Sequence, residues 1–422
     1  MKRLLGSTRV VADKSLTHRA YLLAALAEGE SRIEGGNDGA DCRATLRAIG
    51  RFGLPITASG GSVRIEGGPT RWREPEDVLD LGNSGTGMRL LAGVAASFPF
   101  LSIVTGDASL RARPMGRVTA PLREMGARIE ARAGELAPLA IRGGELRPIR
   151  HDSPVASAQV KSALLLAGLG LRGGEITIRE PERSRDHTER LLQWLGAHVE
   201  VRDREVTLRA ASRLRPFEWR IPGDFSAAAF FVVAAAILEG SDLTIEDVGL
   251  NPTRTGALQV LQRMGADISV SPSSTDGPEP VGTIRIRGSR LVATEVGAGE
   301  MPRLIDEVPI LALAASQADG VTWFRGLAEL RIKESDRLRG SCALLRALGV
   351  PVVEESDAFA VRGPARLRGG AVETAGDHRL AMTALVARLA ADGVVAIDSQ
   401  AMIATSDPDF VERLGALTTS GG

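Results

Sequence analysis

The sequence predicts an α/β repeat protein of two lobes, each made from three copies of one unit. Two observations lead there. A helix-like apolar run, a short glycine-bearing break and a β-like run recur six times, at residues 22–34, 91–105, 164–179, 231–246, 311–324 and 385–397. After five of the six comes a second amphipathic helix ending in glycine, then two strands. The phrase Leu122-Arg123-Glu124-Met125-Gly126-Ala127 returns as Trp194-Leu195-Gly196-Ala197 and as Arg263-Met264-Gly265-Ala266. Self-similarity of this kind means stacked copies of one supersecondary unit.

The elements follow in order. Residues 1–12 precede the first copy, and Arg9-Val10-Val11-Ala12 reads as a strand with no local partner. The first helix opens at Asp13-Lys14-Ser15, continues through Leu22-Leu23-Ala24-Ala25-Leu26 and stops by Gly29. Alternating apolar residues in Val206-Thr207-Leu208 and Ile284-Arg285-Ile286 mark half-buried strands. Pro216, Pro222 and Gly223 punctuate the pattern between the third and fourth copies. The polar insert 272–278 reads as a surface turn. The sixth copy reaches its second helix at Phe410-Val411-Glu412-Arg413-Leu414-Gly415 and then lacks strands, with a tail from Thr418 expected to fray. The N-terminal segment is therefore expected to complete the last lobe. The lobes become residues 13–222, and 1–12 plus 223–422, with two chain crossings between them, a hinge design suited to closing over a ligand.

Composition narrows the function classes. An apolar content of 44% and a charged content of 25% belong to an ordinary globular protein. A formal net charge of zero argues against a nucleic-acid or anionic-membrane surface as the main partner, so any anion binding must come from local clusters of cations. Cys42 and Cys342 are far apart and show no metal-ligand spacing, so neither a disulfide framework nor a bound metal is expected. The N-terminus turns polar before a signal core could form, and the longest uncharged apolar run, residues 225–238, is shorter than the roughly 20 residues that span a bilayer. A cytoplasmic protein is expected.

The candidate functional residues lie at the openings of the copies. These are Asp13-Lys14-Ser15, Gly82-Asn83-Ser84-Gly85-Thr86-Gly87-Met88-Arg89, Ser157-Ala158-Gln159-Val160-Lys161-Ser162, Gly223-Asp224-Phe225-Ser226, Arg303-Leu304-Ile305-Asp306-Glu307 and Gly376-Asp377-His378-Arg379. A helix start presents unpaired N–H groups and a partial positive charge. Two lobes facing each other would aim six such starts into one cleft, a field for a substrate with several negative charges. Only four of the 52 basic residues are lysine, namely Lys2, Lys14, Lys161 and Lys333, and three of them fall in motif-like stretches. Lysine is a compact charge with a movable pKa, whereas arginine is always protonated. Two further stretches concentrate charge: residues 107–114 before the helix-opening Pro114, and Arg331-Ile332-Lys333-Glu334-Ser335-Asp336-Arg337 within one or two helical turns. Plain structural readings stand beside these. Residues 83–87 also fit a tight strand-to-helix turn, Arg185-Asp186-His187 fits an N-cap with a solvated charge pair, and Lys333 with Glu334 fits an exposed helical ion pair. His18 and His378 read as hydrogen-bonding structural residues rather than general bases, and His151 and His198 as structural or solvated.

Asp-Lys-Ser-x-Thr-His-Arg-Ala, Gly-Asn-x-Gly-Thr-x-x-Arg, Arg-Pro-Met, Ser-Ala-Gln-Val-Lys-Ser, Lys-Glu-Ser-Asp-Arg and Asp-His-Arg-x-Ala-Met occur in that order. Together they strongly resemble the 5-enolpyruvylshikimate-3-phosphate synthase family, the 3-phosphoshikimate 1-carboxyvinyltransferases, over essentially the full length. The resemblance implies the enolpyruvyl transferase fold, an inside-out α/β barrel of two lobes with three βαββαβ units each. It implies transfer of the enolpyruvyl group of phosphoenolpyruvate to the 5-hydroxyl of shikimate 3-phosphate, with release of phosphate, on the path to chorismate and aromatic amino acids. It implies no metal or organic cofactor, and small-molecule substrates as partners; a monomer is expected. Carried over by residue, Lys14, Ser15, Arg19, Ser157, Ala158, Gln159, Arg185, Asp306 and Lys333 match the shikimate 3-phosphate site. Lys14, Gly85, Arg113, Gln159, Arg337 and Arg379 match the phosphoenolpyruvate site. Asp306, Glu334 and Lys14 are the catalytic candidates, Asp306 as base for the 5-hydroxyl and Glu334 as proton donor to the methylene carbon. Ala158 stands where serine is common in the family, and Ala404-Thr405-Ser406-Asp407-Pro408 lacks the lysine many members carry there. Gly85 leaves the space that inhibitor-tolerant relatives fill with alanine, so glyphosate is expected to compete with phosphoenolpyruvate. Two rivals remain at this stage: the UDP-N-acetylglucosamine enolpyruvyl transferase, which needs a reactive cysteine on a mobile loop, and a repeat scaffold that binds a phosphorylated metabolite without catalysis.

Overall fold

A computed structural model describes residues 2–210, 213–273 and 277–420. The chain divides into two compact units, one of Ala12–Ile221 with Asp276–Glu279, the other of Met1–Val11, Pro222–Thr275 and Pro280–Gly422. Each has its own apolar core. The end of the polar insert and Glu279 belong to the first unit, which a plain surface turn does not predict. One contact made there is that of Glu279, which is 3% exposed and whose carboxylate lies 2.8 Å from His187 Nδ1. Residues 274–276 of that insert lie outside the described residues.

All six repeats are present as α/β units. In the first unit the inner helices are Lys14–Leu26, Gly85–Ala95 and Ala158–Gly168. Each runs into a strand, Gly29–Glu34, Leu101–Thr105 or Glu175–Arg179, then a second helix, then an antiparallel strand pair. Each sheet is completed by a short parallel strand: Leu79–Asp80 and Arg150–Asp152 precede their own copies, but Glu218–Arg220, at the end of the unit, pairs with Gly29–Glu34. The last strand thus joins the first sheet. None of the sheets closes on itself; strand orders are open in every case among the described residues.

The second unit repeats the plan around helices Phe225–Ile237, Val308–Ser316 and His378–Ala390, which pack on one another. Phe225–Ile237 is apolar apart from Ser226 in its first turn and buried from Phe225 to Ala236, as a helix with no polar face must be. The strand expected at residues 9–12 is found at Lys2–Arg9. It runs parallel to Asp242–Gly249, so it serves the fourth copy, and its other edge takes Thr418–Ser420 antiparallel. The tail expected to fray is therefore paired from Thr418 to Ser420, while Gly421 and Gly422 lie outside the described residues.

Close helix approach explains one glycine. A Cβ on Gly93 would run into the carbonyl of Ala163 across the contact between Gly85–Ala95 and Ala158–Gly168. Backbone cannot yield as a side chain can, so overpacking here is expected to be costly. Gly93→Ala should destabilise the first unit by about 1–3 kcal/mol, read as a lower urea midpoint by circular dichroism.

Candidate active site

In the first unit, Asp13 caps the Lys14–Leu26 helix by accepting the N–H of Leu16 at 2.8 Å. This fixes Lys14 at the first helical position, where its ammonium lies 2.9 Å from Asp41 Oδ2 at the start of the Ala40–Arg51 helix. One turn on, Arg19 is 3% exposed. Its Nε donates to Thr188 Oγ1 at 2.7 Å, Nη2 to Ser162 Oγ at 2.8 Å and Nη1 to the carbonyl of Ser15 at 3.0 Å. Burial pulls the guanidinium down to about 10, against the opposing charges of Glu189 and Asp13. Arg19 thus holds Ser15 in place from within the protein.

His18 is fully buried, with Nδ1 2.9 Å from Thr45 Oγ1 and Nε2 3.4 Å from Ser84 Oγ. Burial first, then the charges of Lys14 and Arg19, keep its pKa well below 6.5. It is a neutral strut linking the first helix to Thr45 within the Ala40–Arg51 helix and to the Ser84 cap, which is a structural role.

A second patch of the same unit gathers Gly85, Arg113 and Gln159. Ser84 caps the Gly85–Ala95 helix through the N–H of Gly87 at 3.0 Å. Arg113, 8% exposed, donates from Nη2 to Asn83 Oδ1 at 2.6 Å and to Ser109 Oγ at 3.1 Å. The helix that follows starts at Gly116, so Pro114 precedes it rather than opening it. Arg89 donates to Gln159 Oε1 at 2.9 Å, and Gln159 Nε2 donates to Thr86 Oγ1 at 2.8 Å. Arg89 was not singled out among the site candidates, although its signal was present: it stands one helical turn after Gly85. Ser157 caps the Ala158–Gly168 helix and gives its own N–H to Glu180 Oε1 at 2.9 Å. Ala158 occupies the first helical position. Arg185 lies ahead of the His187–Trp194 helix, close enough to Arg19 to depress its pKa. Asp186 takes the N-cap position of that helix, but its carboxylate is buried at 3% exposure and pairs with the more exposed Arg183 and Arg190, both at 2.9 Å.

In the second unit the candidates converge on Arg337, which is 1% exposed. Its Nε donates to Asp377 Oδ2 at 2.7 Å and Nη1 to Asp306 Oδ1 at 3.2 Å, while Nη2 lies 2.6 Å from Glu334 Oε2. Lys333 Nζ is 3.6 Å from the same Asp306 oxygen, and Arg379 Nη1 donates to the Asp306 carbonyl at 3.1 Å. Asp306, Lys333, Glu334, Arg337 and Arg379 therefore form one cluster, with Asp377 as the member that motif reading left without a role. Lys333 and Glu334 do not sit on a helix face. The 3-10 turn Ala328–Ile332 ends before an extended Lys333, and the next helix begins only at Arg337, capped by Asp336. Glu334 pairs with Arg337, and Lys333 with Asp306, so the exposed helical pair is not formed. Near the C-terminus, the nearby cation Arg413 is held by Asp407 at 3.0 Å.

The sequence model of EPSP synthase (3-phosphoshikimate 1-carboxyvinyltransferase) matches residues 1–414. The chain belongs to the EPSP synthase family. It is 50% identical over 417 residues to the 3-phosphoshikimate 1-carboxyvinyltransferase of Desulforudis audaxviator, covering 98% of this chain and 97% of that one. It is 47% identical over 418 residues to that of Geobacillus kaustophilus, covering 98% of each. The fold matches an EPSP synthase from Acinetobacter baumannii with a TM-score of 0.88 and 40% identity, over 99% of this chain and 98% of that one. The enolpyruvyl transferase NikO of Streptomyces tendae, at 21% identity and a TM-score of 0.78, shares the fold, covering 100% of this chain and 97% of that one.

His18 gives the first unit a pH dependence. Its folded pKa is depressed, so below pH 6.5 the unfolded chain binds a proton that the folded chain does not. Stability is fully present above 6.5 and falls with pH below it, by up to about 1.4 kcal/mol per pH unit from this group. His18→Gln should flatten that slope, measured as urea midpoints between pH 7.5 and 5.

Proposed function

We propose that the chain transfers the carboxyvinyl group of phosphoenolpyruvate to the 5-hydroxyl of shikimate 3-phosphate and releases phosphate. The observation that carries this reading is the near full-length relationship to 3-phosphoshikimate 1-carboxyvinyltransferases, at 50% identity over 417 residues. The chemistry sets two requirements. Both substrates carry a phosphate and a carboxylate, so a neutral protein must concentrate cations and helix N-termini. The hydroxyl must lose a proton as the methylene carbon gains one, and the methyl so formed must return a proton as phosphate leaves.

Each residue set answers one requirement. Ser15, Arg19, Ser157, Ala158, Gln159 and Arg185 are assigned to shikimate 3-phosphate. Here Ser157 offers a hydroxyl and a helix start. Ala158 offers only its backbone. Gly85, Arg113 and Gln159 are assigned to phosphoenolpyruvate, as are Arg337 and Arg379, with Lys14 touching both substrates. Asp306 is the base for the 5-hydroxyl, held by Lys333 and Arg337, and Glu334 is the acid for the methylene carbon. Asp407 holds Arg413, which supports leaving the C-terminal loop out of phosphoenolpyruvate binding.

The UDP-N-acetylglucosamine rival needs a mobile-loop cysteine. Cys42 and Cys342 are both buried in helices, Ala40–Arg51 and Arg337–Ala347. No helix among the described residues is long and apolar enough to cross a membrane. A monomeric, cytoplasmic enzyme is part of the proposal, and size-exclusion with light scattering tests the first half.

The deciding assay is phosphate release from phosphoenolpyruvate, with shikimate 3-phosphate present and omitted. Release only in its presence is expected; binding without release would favour a non-catalytic scaffold. Asp306→Asn should lower kcat by about 10²–10⁴-fold, and full turnover in that variant would remove Asp306 as the base. A Cβ on Gly85 would lie 2.9 Å from Arg89 Nη1 and 3.1 Å from Arg113 Nη1. Both atoms end flexible side chains, so Gly85→Ala should keep the fold while displacing the two guanidiniums. Glyphosate should compete with phosphoenolpyruvate in the native enzyme, and Gly85→Ala should raise both its inhibition constant and the KM for phosphoenolpyruvate, read from initial rates.

A further inference from the structure

Lys161 belongs to the Ser-Ala-Gln-Val-Lys-Ser motif, yet the proposed chemistry gives it nothing to do. It is 2% exposed, and its ammonium lies 2.8 Å from Glu180 Oε2 and 2.7 Å from Glu189 Oε1. Burial works against the charge, but Glu189 and Glu180 more than offset it, and the pKa sits above the ordinary lysine value. Glu180, 4% exposed, is the more connected partner. Its Oε1 accepts the N–H of Ser157 at 2.9 Å. Its Oε2 accepts the Ser184 hydroxyl at 2.8 Å and the Ser184 N–H at 3.3 Å, besides Lys161. One carboxylate therefore ties together the cap of the Ala158–Gly168 helix, a side chain of that helix's first turn, and the loop that carries Arg185.

Those are the two backbone segments that bear Ser157, Ala158, Gln159 and Arg185. A carboxylate is acceptor-only, so it suits a point where four donors converge. Lysine suits the other end: an ammonium makes short contacts to two carboxylates in a fully enclosed space where a guanidinium would have to displace its neighbours. Neither Lys161 nor Glu180 is exposed enough to meet a ligand directly.

We infer that Glu180, anchored by Lys161, is a positioning residue for the phosphate of the phosphorylated substrate: it fixes the distance between the Ser157 helix start and the Arg185 loop. The inference rests on the proposed assignment of these segments to shikimate 3-phosphate. An anion held by groups on two segments is sensitive to displacements of about an ångström, and a site whose supporting contacts are loosened binds weakly even with every direct contact residue present.

Glu180→Gln is the informative variant. It removes acceptor capacity toward Ser184 and Lys161, while Lys161 keeps Glu189 as its counter-ion, so no buried charge is left unpaired. The Kd of shikimate 3-phosphate, by titration calorimetry on the full chain, is expected to rise about tenfold, the equivalent of one charge-assisted hydrogen bond. The kcat at saturating substrate and the KM for phosphoenolpyruvate should stay within about threefold, since of the phosphoenolpyruvate groups only Gln159 is on these segments, and its side chain is held separately by Arg89 and Thr86. Lys161→Arg should weaken shikimate 3-phosphate in the same selective way. Ser157→Ala separates the two layers of the argument. If it weakens shikimate 3-phosphate and Glu180→Gln does not, the positioning role is overturned and the assignment of the site stands. If neither changes the Kd, the assignment itself fails. A parallel loss of kcat and of affinity for both substrates in Glu180→Gln would also overturn the inference, because general loosening and not positioning would then explain it.

Discussion

The guanidinium of Arg337 is the interaction on which the second unit's charged residues depend. Taking an ion of this size out of water costs several kcal/mol even after relaxation. Here the cost is offset by Asp377, Glu334 and Asp306 in contact with its three nitrogens. Burial opposes the charge, yet the three carboxylates outweigh it, and the pKa rises above the ordinary arginine value. The reciprocal effect falls on Asp377. Burial alone would raise that carboxyl, but Arg337 holds it below its usual range. Its two oxygens are divided between tasks, Oδ2 taking Arg337 and the Ser335 hydroxyl while Oδ1 caps the His378–Ala390 helix through the N–H of Arg379. One ion cluster thereby fixes a helix start, the 333–336 turn and the Asp306 turn relative to each other.

The first unit achieves similar order with a different balance of groups. Arg19 and Lys161 are both nearly inaccessible, and they are compensated by hydroxyls, a carbonyl and the carboxylates Glu180 and Glu189 rather than by one cage. Buried hydroxyls cost less to desolvate than charges, so Thr188 and Ser162 can hold Arg19 without bringing in further acidic residues. This arrangement leaves the neutral His18 and the capped helix starts at Asp13, Ser84 and Ser157 in fixed positions. The result is a set of helix starts held in fixed orientation, the condition that electrostatic stabilisation of an anion requires.

The repeats were legible because they are local. Each helix, break and strand lies within about 20 residues, and period and glycine position report them directly. The partner of a strand is not local. Arg9-Val10-Val11-Ala12 looked like a strand because β-branched residues favour one, but Lys2–Arg9 is the segment that pairs, and its partners are at 242–249 and 418–420. The same limit applies to the site. Motifs brought out Lys14, Gly85, Arg113, Ser157, Asp306 and Arg337 as residue types concentrated at helix starts. They include Arg89 as a motif position but do not show its contact with Gln159, and they do not bring out Glu180 at all, because those supporting roles exist only through contacts 70 and 23 residues away in the chain. Glu279 was hidden for a related reason: nothing in a run of Pro, Ser and Gly says that its last acidic residue turns inward to a histidine.

The scarcity of lysine can now be given a physical content. Lys14, Lys161 and Lys333 each meet a carboxylate, Asp41, Glu180 with Glu189, and Asp306 respectively. Arginines in the same clusters are held by several partners at once through a planar fork, which locks their direction. An ammonium has no such fork. At Lys14, which meets Asp41 Oδ2, and at Lys333, which meets Asp306 Oδ1, the ammonium sits at the end of a flexible stem with rotatable donors. Where it is enclosed between two carboxylates, as at Lys161, that freedom is gone and compactness is what remains useful. Arginine would satisfy the charge at all three positions, but its fixed fork is a different geometry from a rotatable ammonium at Lys14 and Lys333, and its bulk exceeds the enclosed space at Lys161, 2% exposed between Glu180 and Glu189.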